Sequence, residues 1–110
     1  MEKDFITIGG VQYRVEVNWN AMTGFLALVG KDTVNDLSTI GDIRPSEITA
    51  LMAAAIKEGE RLEGRSFTQT PEDIGAVIKP SDVSAFMDIY IRQSAPAVPA
   101  ESAKKKETEV

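Results

Sequence analysis

Apolar and polar residues alternate with period two over the opening stretch of the chain, and recur with a period near 3.6 over most of the remainder. Phe5-Ile6-Thr7-Ile8, Gly9-Gly10 and Val11-Gln12-Tyr13-Arg14-Val15-Glu16-Val17 predict a β-hairpin. The glycine pair suits a tight primed turn, in which both central residues need positive φ. In the second run Val11, Tyr13, Val15 and Val17 share one face, while Gln12, Arg14 and Glu16 share the other. One face is therefore expected in the core and one in water.

A helix is predicted next, capped by Asn18 or Asn20. Met22, Phe25, Leu26 and Val29 fall at i, i+3, i+4 and i+7, and Gly30 stands where the residue beyond a helix end belongs. Gly24 inside this stretch costs about 1 kcal/mol relative to alanine. Residues 31–44 read as a connection, with Val34, Leu37 and Ile40 spaced for a short helical turn.

Pro45 is expected to open the longest helix, since proline suits a first turn. Ile48, Leu51, Met52, Ala55, Ile56 and Leu62 line its buried side, and Ala53-Ala54-Ala55 permits a neighbouring helix to approach closely. Glu47, Lys57, Glu58, Glu60 and Arg61 lie mostly elsewhere, and Gly59 and Gly64 are expected to loosen its end. Thr70-Pro71-Glu72-Asp73 combines a capping hydroxyl, a first-turn proline and acids facing the helix dipole. It launches a short helix carrying Ile74, Val77 and Ile78, which Lys79-Pro80 interrupts. Ser81-Asp82 restarts a helix with Val83, Phe86, Met87, Tyr90 and Ile91 at core spacing. The expected fold is α+β: an N-terminal hairpin, a helix, a loop and three further helices.

From Ser94 the pattern stops. Ala95-Pro96-Ala97-Val98-Pro99-Ala100 and the charged residues after it hold too little apolar surface to offset the entropy of ordering them. Residues 1–93 are read as one small domain and 94–110 as a disordered tail or linker. A domain of this size buries little more than about 60% of its unfolded surface, so a homo-oligomer or a partner would help it.

The net charge of −5 lies wholly before Ser94 and argues against nucleic-acid binding, which needs clustered Lys and Arg. No cysteine and no histidine occur, which removes disulfides, thiolate nucleophiles and the commonest general base and transition-metal ligand. The charged start Met1-Glu2-Lys3-Asp4 is unlike a signal peptide, and no apolar stretch approaches the roughly 20 residues that span a bilayer. The expected location is cytoplasmic, with no membrane partner.

Little catalytic chemistry remains. Gly9-Gly10 is a hairpin turn and not a phosphate loop, because a second strand follows it. Glu72 and Asp73 are accounted for as helix N-terminal charge, and Glu58, Glu60 and Glu63 as a solvated helix face near Lys57 and Arg61. No calcium-loop pattern occurs, and no GxSxG elbow surrounds any serine. The chain is thus expected to be no enzyme, with no metal and no cofactor. Candidate partner-binding residues are Met22, Met52 and Met87, which sit on the helical stripes as core or adaptable surface, together with Trp19 and Phe67, the aromatics least tied to the core.

The opening Ile6-Thr7-Ile8-Gly9-Gly10-Val11-Gln12-Tyr13-Arg14-Val15, the helix entered at Asn20, the Ala-rich helix over 48–56 and the start Thr70-Pro71-Glu72-Asp73-Ile74 carry a likeness. Over residues 5–92 the chain resembles phage tail assembly chaperones, the short products encoded upstream of the tape measure protein in long-tailed phages and related elements. The resemblance implies a non-enzymatic chaperone that binds the tape measure protein in the host cytoplasm. It also implies help in recruiting the tail tube protein and absence from the mature virion. A small structural subunit of a virion or mobile element, and a β-grasp-like adaptor, are the alternatives.

The resemblance also implies a longer product made by programmed ribosomal frameshifting, with Lys104-Lys105-Lys106 encoded by an A-rich slippery run. Sequencing the gene checks this expectation. An unbroken run followed by an open shifted frame is expected; lysine codons that interrupt it, or no downstream frame, would rule it out.

Overall fold

The computed structural model describes residues 3–31 and 43–94. The helical turn expected through Val34, Leu37 and Ile40 lies outside the described residues, as does the expected tail 94–110 except Ser94, which is the last residue of the final helix. Within them the fold is α+β: a two-stranded antiparallel hairpin followed by four α-helices.

Strand β1 (Asp4–Ile8) pairs with β2 (Val11–Val15) in a register that sets Ile8 opposite Val11 and Ile6 opposite Tyr13. Gly9 and Gly10 have φ of 59° and 82°, the left-handed pair that a two-residue turn needs. Ile6, Ile8 and Val15 are buried, Tyr13 and Val17 half-buried. Val11, expected on the core face, is 50% exposed at the hairpin tip. The second strand stops at Val15 because the chain beyond it bonds to helices instead. The Glu16 N–H donates to the Ala55 carbonyl (3.1 Å) and the Val17 N–H to Gln93 Oε1 (2.6 Å).

Helix α1 (Trp19–Leu28) begins where Asn18 Oδ1 accepts the Ala21 N–H at 3.0 Å. It ends at Gly30, whose φ of 74° lets Gly30 N–H reach the Ala27 carbonyl and Lys31 N–H the Leu26 carbonyl. Ala21, Met22, Phe25 and Leu26 face the core. Pro45 opens a single 3-10 turn, Pro45–Glu47, and helix α2 (Ile48–Leu62) follows from it. The last helix is equally long, at 15 residues, so α2 is not the longest element alone.

Helix α2 is the centre of the molecule and is buried nearly all round. Every residue from Ala50 to Ile56 is buried, against α1 on one side, β2 on another and the next helix on a third. The solvated acidic face expected for it does not exist: Glu58 and Glu60 are buried. Each survives burial because it is paired and hydrogen-bonded. Glu60 takes Arg65 Nε at 2.7 Å, Arg65 Nη2 at 3.0 Å and the Arg14 N–H at 2.9 Å. Gly59 does not loosen the helix; it is where α2 meets the backbone of β2. A Cβ built on Gly59 would overlap the Arg14 carbonyl. Gly64 likewise has a positive φ of 78° and closes the helix, with Arg65 N–H on the Glu60 carbonyl.

Helix α3 (Pro71–Gly75) carries the expected cap. Thr70 Oγ1 accepts the Asp73 N–H (3.1 Å), and Asp73 Oδ2 accepts the Thr70 N–H (2.9 Å). Ile74 is buried, whereas Val77 is exposed. In α4 (Pro80–Ser94) the core stripe is Phe86, Ile89 and Tyr90; Ile91, expected on it, is 61% exposed. The last turn of α4 closes on the hairpin. The Gln93 side-chain amide donates to Asp4 Oδ2 and the Val15 carbonyl, and Arg92 Nη1 holds Asp4 at 2.7 Å.

Gly59→Ala and Gly24→Ala are expected to move stability in opposite directions. A Cβ at Gly24 would rest 3.7 Å from the Ala54 Cβ, an ordinary contact, so alanine there is expected to gain up to about 1 kcal/mol from helix propensity. At Gly59 the overlap with β2 is expected to cost about 2–3 kcal/mol instead. Urea unfolding of both variants checks this, and a stabilising Gly59→Ala would overturn the close-contact account.

Candidate functional site

Helix α1 has a second face, turned away from its core stripe, on which Asn20, Gly24, Ala27 and Leu28 recur at helical spacing. The face of α2 beside it offers Ala53, Ala54, Lys57, Glu58 and Arg61. Residues 65–71 return alongside both helices. Together they bound a groove of about 840 Å³. Ala53 and Ala54 are buried at its bottom, Leu28 and Phe67 give it larger apolar surface, and Lys57, Arg61 and Arg65 stand along it. Small residues make the space: Gly24 faces Ala54, so little side chain fills the angle between α1 and α2.

The 65–71 segment is anchored at Arg65, Phe67, Gln69 and Thr70. Arg65 grips Glu60 with two nitrogens. The Phe67 ring meets Tyr13 edge-on at 5.2 Å between centroids, Gln69 Nε2 donates to Tyr13 Oη at 3.2 Å, and Thr70 caps α3. Among the described residues Glu58 is the only carboxylate lining the groove, and it is buried. Its oxygens accept from Arg61 Nε (2.9 Å), Arg61 Nη2 (2.8 Å), Asn18 Nδ2 (2.7 Å) and Asn20 Nδ2 (3.3 Å). The Arg61 hydrogen bonds, helped by the two asparagines against the cost of burial, hold the Glu58 carboxyl down at about 2. Glu60 is lowered chiefly by Arg65, and Glu63 by Lys3 and then Arg14.

Of the residues singled out from sequence, Phe67 lines the groove. Trp19, 62% exposed at the first position of α1, does not. Met22 and Met52 are taken up by the core, and Met87 packs half-buried against it from α4. Sequence reasoning passed over Leu28 and Ala27, and took Lys57 only as a cation beside the acidic helix face. The available signal was Leu28, a large aliphatic residue one position off the α1 core stripe. No group of three or more acidic side chains able to hold a metal occurs among the described residues, and none of their helices is long and apolar enough to cross a membrane.

Glu58 ties the cap of α1 to α2, and its titration is expected to be visible in stability. Folding lowers its pKa from 4.5 to about 2. Its contribution is therefore complete above about pH 4.5 and is lost as pH falls toward 2. Glu58→Gln is expected to flatten the stability profile in that window and to cost about 1–3 kcal/mol at pH 7. Denaturant unfolding across pH checks both; an unchanged acid limb would show that Glu58 is not a source of the pH dependence.

Comparison of the chain with known protein families, characterised proteins and solved structures gives no match.

Proposed function

We propose that this chain is a non-enzymatic, protein-binding chaperone of phage tail assembly. In this reading it covers apolar helix faces of the tape measure protein and helps recruit tail tube subunits. The observation that carries the reading is the groove between α1, α2 and residues 65–71, with an apolar bottom and polar edges. A long helical client with exposed apolar faces is an aggregation hazard, and a helix-in-groove contact is the economical way to cover it. Many copies binding side by side along one long target would cover its apolar faces. The sequence likeness over residues 5–92 supports the same reading.

The chaperone acts in the host cytoplasm and leaves before the tail is complete. Co-expression with the tape measure gene of the same element is the test. The soluble fraction of that protein is expected to rise several-fold, and to rise less with Leu28→Ser; no gain would overturn the reading. Mass spectrometry of purified particles separates a chaperone, expected to be missing, from a structural subunit, expected to be present.

A further inference from the structure

Resting on the groove as the client site, we propose that it selects amphipathic helices whose apolar stripe is flanked by acidic side chains. The chain carries a net charge of −5, yet the charge along this groove has the opposite sign. Its one carboxylate among the described residues, Glu58, is buried and already holds Arg61 through both oxygens. Lys57 is exposed, and no carboxylate of the described residues pairs with it. Arg61 and Arg65 have side chains 60% and 53% exposed. Both bind their glutamates through Nε and Nη2, which leaves Nη1 of each with no partner among the described residues. The site thus presents one unpaired ammonium and two guanidinium groups with donors to spare, all beside apolar surface.

Spacing sharpens the match. Lys57 and Arg61 are i and i+4 on α2, about 6 Å apart, the same step that separates Glu residues at i and i+4 on a partner helix. The α1 wall from Asn20 to Leu28 is about 12 Å long at 1.5 Å per residue, so two to three turns of a partner fill it. Gly24, Ala27, Ala53 and Ala54 leave depth for leucine or methionine side chains on the partner's stripe, while Leu28 and Phe67 supply larger apolar surface to meet them. A lysine-flanked helix of identical stripe meets the same apolar surface but sets like charges against Lys57 and Arg61. Discrimination then comes as much from repulsion of the wrong helix as from attraction of the right one.

Fluorescence anisotropy with the full chain and two synthetic helices, each about 16 residues long, tests this. Both carry the same leucine stripe, one flanked by glutamate and one by lysine. The glutamate helix is expected to bind about tenfold tighter at low salt, with the gap closing near 0.5 M salt. Lys57→Glu is expected to remove most of that preference. Lys79→Glu, which changes net charge equally but lies outside the groove, is expected to leave it intact. Leu28→Ser is expected to weaken both helices. Equal binding of the two helices, or tighter binding of the lysine helix, would overturn the acidic preference while leaving the groove as the docking site. No binding of either, or binding indifferent to Leu28→Ser, would overturn the groove itself.

Discussion

The structure turns on the seam where Gly59 of α2 lies against the Arg14 carbonyl of β2. A two-stranded hairpin has two edges and little core of its own, and alone it is marginal in water. Here the edge of β2 is covered by a helix at backbone distance: Glu16 N–H reaches the Ala55 carbonyl and Arg14 N–H reaches Glu60. Only a residue without a side chain permits that approach. Once α2 is seated there, its other sides are presented to α1 and α3, and every residue from Ala50 to Ile56 is enclosed. Arg14 then spans the seam to Glu63 and reaches along its own stretch of chain to Glu16 through its terminal nitrogens, leaving Nε as the one buried side-chain polar atom without a partner among the described residues.

Much of the backbone plan was legible in the sequence because it is local chemistry. The Gly9-Gly10 turn, the Gly30 stop and the Thr70-to-Asp73 cap each need only a few neighbouring residues. The cap is in fact one of three. Pro45 with Glu47, Pro71 with Asp73 and Pro80 with Asp82 repeat a proline followed two residues later by an acid. In each case the carboxylate accepts the N–H of the residue before the proline. That residue is driven to an extended conformation by the proline, so its N–H faces the carboxylate rather than a helix carbonyl. The illegible part depends on the third dimension. Alanine carries no clear signal of being inside or outside, so the burial of α2 on several sides is invisible. Glu58 and Glu60 read as solvated until Asn18, Arg61, Arg14 and Arg65 are brought to them. Ile91 and Ile89 are equally apolar, and only the seating of α4 on the hairpin chooses between them.

The groove was hidden for a related reason. It is assembled from three separate stretches, and its bottom is made by residues too small to stand out. Large, soft or aromatic side chains drew attention instead, and two of these, Met22 and Met52, serve the interior. Charge was misleading in the same way. An acidic chain suggests an acidic surface, but several of its carboxylates are engaged inside in capping and clamping. This leaves the basic partners Arg61 and Arg65 facing outward beside an apolar trough. The formal charge of the side chains lining the groove is opposite in sign to the net charge.

The Gln93 side-chain amide stands in for a further strand residue at the open end of the hairpin, offering an acceptor to Val17 N–H and a donor to the Val15 carbonyl. The open end of the hairpin is thus completed by a residue nearly ninety positions away in the sequence. The Val17 N–H and the Val15 carbonyl therefore gain these partners only when the final turn of α4 is seated on the hairpin.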